Sequence, residues 1–420
     1  MKFSRTGAGL TAVAVTALAL SGCTGGSAAD SGVTTINYWG WDGAPGSAVV
    51  EPIIAAFEAE NPDIEVEYTE LAQTDFKSRV AQSLRAGEEI DVLSVQPGAW
   101  AGEIEDYLLP VADWPNAEIA DKFTAGSVEQ ASRLFRDGEL MAVPVYSAGS
   151  AVGIYNADIL AQLGVEPPET RAGFAALSAA IDAQGSEVLP VVMPSEDWFQ
   201  DEVVLTMVGQ QDPDFFNSVR YDGGEWNTTS YVTALEDYKG LFDTGVLDSA
   251  TLDLDYASAM AAFDQGQAAV VFNGTWEANR ILSGNYGVVP FPAESADDAS
   301  LRSFLDVMLG IPADSAKQDA SAKFIEFMSA GAGVDEYAAT LKGVPALDGY
   351  ELPEGVLTTE LQQQSYATLV ELINNPAGDR NNLGAFSDAV GANVKQVLFG
   401  QMTAVEAAEA DQRELERGNF

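Results

Sequence analysis

Chemistry in this chain has to come from carboxylates, amides, hydroxyls and aromatic rings. The 420 residues hold no histidine and a single cysteine, Cys23. Without imidazole there is no usual general base for a serine hydrolase, no HExxH zinc motif and no histidine-ligated metal. The remaining residue types gather in three places: Trp39, Trp41 and Asp42 in YWGWD, Glu196, Asp197 and Trp198 in MPSEDWF, and Asn273 and Trp276 in NGTW. A tryptophan is more often core packing than a binding plate, and among 64 acidic residues some acid near a tryptophan is expected anyway. Paired carboxylates could still serve as acid and base of a glycoside hydrolase, so a secreted hydrolase is one open reading. The acidic run DTGVLDSATLDLD (243–255) lacks the ligand spacing of an EF-hand. No metal site and no cofactor motif is legible.

The one thiol sits in LSGC, residues 20–23. Before it, Lys2 and Arg5 precede an apolar run over 7–20, the pattern of a secretory signal and short for a bilayer span. Leu20-Ser21-Gly22-Cys23 matches the lipobox of bacterial lipoproteins, which makes Cys23 a lipid anchor; a small buried cysteine is the other reading. The run 24–32, TGGSAADSG, has the composition of a flexible tether. With Cys23 lipidated, no thiol is left for disulfides or thiolate chemistry.

The net charge of −44 repels nucleic acid and anionic surfaces and disfavours polyphosphate ligands. Solubility, or adaptation to a salty or acidic medium, explains it more simply than a cationic partner does. At 47% apolar residues the chain buries a large core, and its length exceeds one ordinary domain.

The elements that must position these residues alternate. TINYWGW (35–41) is a β-rich run; Val50, Ile53, Ile54 and Phe57 follow at helical spacing. Ile64, Val66 and Tyr68 alternate with polar residues as a strand. Phe76, Val80 and Leu84 then mark a helix face stopped by Gly87, and IDVLSV (90–95) is a short apolar strand. Strand–helix alternation of this kind predicts a doubly wound α/β lobe, with ligands beyond the carboxyl ends of the strands. AVPVY (142–146), VLPVVM (188–193) and AAVVF (268–272) are later strands, and the end from about Leu383 is helical. In YASAMAAFDQGQAAVVFNGTWEANRI (256–281), a helix ends near Gly266 and a buried-type strand follows. Asn273 and Trp276 then fall at that strand's carboxyl end.

At this point the chain resembles the family 1 extracellular solute-binding proteins of ABC importers, of which the maltose-binding protein is the best-known member. The motifs are LSGC, INYWGW with FEAENPDIEVEY (57–68), IDVLSVQPGAW (90–100), MAVPVYSAGSAVGIYNADIL (141–160), NGTW, GVVPFP (287–292) and GVPAL (343–347). Ile90 stands where the family often has proline, and PPETRAGF (167–174) departs from its usual Thr-Trp. The resemblance implies a type II periplasmic-binding-protein-like fold: two α/β lobes with doubly wound sheets, a hinge and an interlobe cleft. Its lobes would be 33–145 plus 305–331 and 146–304 plus 332–420, after a signal over 1–22 and a tether over 23–32.

By the same resemblance, the cleft holds a sugar or oligosaccharide, delivered to ABC permease subunits by a monomer anchored on the outer membrane face. Sugars carry apolar C–H faces and a hydroxyl rim, so a sugar site needs aromatic plates with polar groups at their edges. Trp198 and Trp276 lie where relatives place stacking aromatics. Besides the three clusters above, Gln96, Ser147, Asp306 and Phe386 are candidate contacts, whereas Trp100, Trp114 and Trp226 read as structural. A peptide, polyamine or other solute in the same fold remains open beside the sugar.

Overall fold

The computed structural model describes residues 32–42, 46–341, 343–374, 376–379 and 385–418. The signal, the Cys23 motif and nearly all of the tether lie outside them. Eleven strands are described: β1 Thr34–Trp41, β2 Ile64–Leu71, β3 Val92–Val95, β4 Val143–Ser150, β5 Val152–Asn156, β6 Leu189–Val192, β7 Ala268–Asn273, β8 Tyr286–Pro290, β9 Leu301–Gly310, β10 Val344–Pro345 and β11 Pro376–Asp379. They form two sheets. The larger runs β10-β4-β9-β3-β1-β2, with β11 beside β9, and the smaller runs β6-β7-β5-β8. Each sheet is covered by helices and has its own core, so the molecule is a two-lobed α/β protein.

All six strands expected from pattern are present. The helical stripe Val50, Ile53, Ile54 and Phe57 is the buried face of helix Ser47–Glu60. Helices Gln73–Ala86 and Tyr256–Asp264 end as their sequences imply, because Gly87 and Gly266 take positive φ values of 69° and 70°.

The first core gathers Ile36, Tyr38, Phe57, Val92 and Phe324, and the second Phe174, Phe199, Trp226 and Phe272. Among the described residues no helix is long and apolar enough to cross a membrane.

The larger sheet extends past the lobe boundaries read off the sequence. β4 and β9 pair antiparallel from Val143 and Leu309 to Ser150 and Arg302, so 146–150 and 301–304 stay in the larger sheet. The chain leaves that sheet at Ala151, whose φ of 63° turns β4 into β5. Residues 333–345 also stay with the first lobe: helix Gly333–Ala338 packs on helix Ser47–Glu60, and β10 pairs with β4. The Gly331–Gly333 stretch that looks like a boundary is a tight turn between packed helices, with Gly333 against Ile53 and Phe327. Helix Glu360–Asn374 then packs on β8, helix Ala385–Leu398 on helix Asp197–Gln211, and helix Ala404–Glu416 on Ala385–Leu398 and Thr229–Asp243. The β4–β9 ribbon has its register shifts between Pro144 and Ser147, with Asp306 as the extra residue of β9. Bulges bend strands locally, here in the pair of strands that runs from one lobe to the other.

Candidate functional site

Two neighbouring strands of the smaller sheet build the site. β6 and β7 are parallel and in register from Leu189↔Ala268 to Val192↔Val271, so their carboxyl ends lie side by side. After β6 the chain turns into helix Asp197–Gln211, whose residues Phe199 to Gly209 are all buried. Its first turn begins partly open, and Trp198 stands there half-buried. After β7 the chain turns at Gly274 into the 3-10 helix Thr275–Leu282, which carries Trp276. The two indoles meet with ring centroids 6.2 Å apart at 46°. On its other side Trp276 lies 6.4 Å from the ring of Phe304 on β9 and packs against the first lobe's core. An aromatic series thus runs from the second lobe to the strand that enters the first.

Hydrogen bonds hold Trp276 in place. Its Nε1–H donates to the Tyr256 hydroxyl at 3.0 Å, and that hydroxyl donates to Glu277. Glu277 also accepts from Arg280 Nε at 2.9 Å, and Arg280 pairs in turn with Asp264. Burial first, and the bond to Glu277 second, hold the Tyr256 hydroxyl protonated well above the usual tyrosine range. Beneath the indole lies Gly274: a Cβ there would stand 2.2 Å from the ring.

Around Trp198, Asp197 pairs with Lys395 at 2.5 Å. Glu196 Oε1 accepts the Tyr256 backbone N–H at 2.8 Å, while Oε2 is buried with no hydrogen-bond partner. A buried carboxylate oxygen without a donor is costly.

Of the residues singled out in the sequence, the structure brings together Glu196, Asp197, Trp198, Asn273 and Trp276. Asn273 is fully buried, its carbonyl accepting the Gly274 N–H at 2.8 Å and its amide facing Met260 Sδ at 3.1 Å, so it shapes the turn under Trp276. Asp306 accepts from the Tyr146 hydroxyl at 2.9 Å, and Tyr146 stacks on Tyr337 at 4.3 Å. Ser147 is half-buried opposite Leu305, next to that bulge. In the first lobe, Trp39 and Gln96 are half-buried at the carboxyl ends of β1 and β3, and Asp42 is exposed, accepting the Gln73 N–H at 2.8 Å.

Three expectations are corrected: Asn273, 0% exposed, is held inside the turn with no face for a ligand, and two aromatics belong to the core. Trp41 is 2% exposed, packed 5.0 Å from Phe76, and Phe386 is 0% exposed, packed 4.8 Å from Trp226; both are core residues with no face left for a ligand. Tyr256, Glu277, Arg280, Lys395 and Phe304 were missed. Only Glu277, beside Trp276 in NGTWE, carried a local signal.

Two α/β lobes with paired indoles at the strand ends, facing the ribbon between them, define a two-lobed ligand-binding protein. Residues 40–333 match the model of the bacterial extracellular solute-binding proteins, and the chain belongs to that family. A binding protein of Brucella abortus (strain 2308) is 22% identical over 249 residues, 58% of this chain and 59% of that relative. The chain thus spans about three fifths of the length of the curated relatives it matches. Two similar solved structures agree in fold. A cyclic alpha-maltosyl-1,6-maltose binding protein from Arthrobacter globiformis is 18% identical with a TM-score of 0.73, covering 92% of this chain and 99% of that one. The sugar-binding protein MalE from Xanthomonas citri is 22% identical with a TM-score of 0.71, covering 91% and 97%.

Proposed function

We propose that this chain captures a sugar or oligosaccharide between its lobes and delivers it to the permease subunits of an ABC importer. In this reading it works as a monomer, held on the outer face of the cell membrane by a lipid on Cys23, with residues 24–32 as the tether. The observation that carries the reading is the Trp198–Trp276 pair, 6.2 Å apart and open at the strand ends, with Phe304 facing it from β9. Such plates suit the apolar faces of pyranose rings, and the buried Glu196 Oε2 suits a hydroxyl donor. The cyclic alpha-maltosyl-1,6-maltose named for one solved relative, and the unspecified sugar named for the other, point the same way.

The charge balance at the indoles favours a neutral guest over a cationic one. Only 20 of the residues are basic. Two of them, Arg280 and Lys395, take up the carboxylates of Glu277, Asp264 and Asp197 next to the two indoles. A polyamine would need those carboxylates unpaired. Hydrolysis would need two available carboxyl groups flanking one bond, whereas both oxygens of Glu277 are engaged and Asp197 is paired, leaving Glu196 alone.

Titration of intrinsic tryptophan emission of the purified protein tests this, with mono- and oligosaccharides, spermidine and a peptide mixture as separate arms. A saturable response to at least one carbohydrate is expected. Saturation only with spermidine or peptide, or no response in any arm, overturns the sugar reading. A chromogenic glycoside panel is expected to stay uncleaved.

A further inference from the structure

Tyr256 touches the supports of both indoles. Its hydroxyl accepts from Trp276 Nε1 at 3.0 Å and donates to Glu277. The direction is fixed by chemistry: an indole nitrogen only donates, an ionised carboxylate only accepts, and a hydroxyl does both. Its backbone N–H donates to Glu196 at 2.8 Å, and one step away the Ser195 N–H donates to the Leu254 carbonyl at 2.9 Å. These two bonds tie the turn that carries Trp198 to the start of helix Tyr256–Asp264. Neither oxygen of Glu277 is idle, since Arg280 holds the second at 2.9 Å.

We infer that Tyr256 is a positioning residue that sets the plane of Trp276 and its register against Trp198. The inference rests, for its affinity arm, on the sugar reading of this cleft. Trp276 is held on two sides, by the backbone of Gly274 under the ring and by the Tyr256 hydroxyl at its nitrogen. The one polar atom of the indole is therefore turned into the protein. A ligand lying on this plate meets only carbon and C–H groups there and must find partners for its hydroxyls elsewhere in the cleft. This predicts a guest whose ring has one largely apolar face, and little discrimination among hydroxyl configurations over Trp276 itself.

The test is a cycle of variants of the full chain: Tyr256→Phe, Trp276→Phe and the double variant, with Glu277→Gln as a second way of weakening the relay. Affinity is measured for whichever carbohydrate the wild-type chain binds. The ligand-free emission of Trp276 is obtained as the difference between chains with and without Trp276. Tyr256→Phe is expected to weaken binding about fivefold to tenfold, the scale of one lost hydrogen bond, but less than about twofold in the Trp276→Phe background. The ligand-free difference spectrum is expected to shift and its quenching by acrylamide to rise, with Glu277→Gln moving both in the same direction. Equal losses in both backgrounds would show that Tyr256 acts on the ligand directly or through general stability, and would overturn the inference. So would an unchanged difference spectrum. If the wild-type chain binds no carbohydrate, the function proposed above fails, while the ligand-free spectra still decide the role of Tyr256.

Discussion

Replacing Gly274 by alanine adds one methyl group directly under the Trp276 indole. The backbone at 274, with φ −94° and ψ 170°, is extended and open to any residue, so alanine brings no torsional strain. Relative to glycine it lowers the entropy of the unfolded chain, worth about 0.4–1 kcal/mol in favour of the variant. Against this stands a single contact. The new Cβ would lie 2.2 Å from Cη2 and Cζ3 of Trp276, where ordinary contact begins at 3.4 Å, so ring and backbone must part by about 1.2 Å. That retreat stretches the 3.0 Å bond to Tyr256 and changes the 6.2 Å spacing to Trp198. Overpacking of this kind costs about 1–3 kcal/mol, leaving a net destabilisation of about 0–2.6 kcal/mol once the entropy term is subtracted. The ligand suffers more, because a plate displaced by over an ångström no longer lies flat on its partner. Affinity is expected to fall about tenfold to a hundredfold, or about 1.4–2.8 kcal/mol. Calorimetric titration with the best carbohydrate, beside urea unfolding of both chains, separates the two effects. Wild-type affinity in a destabilised variant would refute the reasoning, since Trp276 would then be packing and not a plate.

Two further changes probe the scaffold. Asp411 is fully buried, accepting from the Tyr231 hydroxyl and the Asn393 amide at 2.7 Å each, and burial pushes its carboxyl up to about 7. The unfolded chain releases this proton near 4, so the native state gives up stability as pH rises from about 4 to 7, by about 4 kcal/mol at most. Asp411→Asn is therefore expected to match the wild type in urea unfolding at pH 4 and to exceed it at pH 8; parallel pH curves would contradict this. Gly391 lets helix Ala385–Leu398 touch helix Asp197–Gln211, since a Cβ there would stand 1.8 Å from the Asp197 carbonyl oxygen. Gly391→Ala is expected to cost about 3 kcal/mol in urea unfolding and to weaken ligand binding by shifting Lys395 from Asp197, whereas a neutral result would mean that the helices part freely.

What could be read in the sequence followed how local each signal is. Strand β7 and its turn into Trp276 were legible because a buried apolar run, a glycine and a tryptophan are adjacent in the chain. Trp198 was a candidate beside Trp276 only through the family resemblance; the parallel pairing that brings the two together is a feature of the folded sheet. Trp41 misled because a place at a strand's carboxyl end does not by itself leave a side chain open. β1 is covered on both sides, and Phe76 closes over Trp41. Phe386 carried its own warning, since Phe386, Val390, Val394 and Val397 recur at helical spacing and are all buried. Tyr256 and Phe304 were invisible for the opposite reason. Their partners lie 20 and 28 positions away, and nothing in the neighbouring residues announces the pairing.

The place of β9 in the larger sheet bears on the order in which the molecule can assemble. This strand lies between β3 and β4, yet it begins about 200 residues after β3 ends and about 150 after β4 ends. Until residue 310 has emerged, β3 and β4 have no common neighbour, and each offers a bare backbone edge. The smaller sheet needs nothing beyond residue 290 to join its four strands. Loop closure favours the pairing of nearer partners, so the half of the molecule that begins second completes its sheet first. The half that begins the chain waits, with its edges open to pairing with other copies, for β9 to join its two parts and for β10 and β11 to follow.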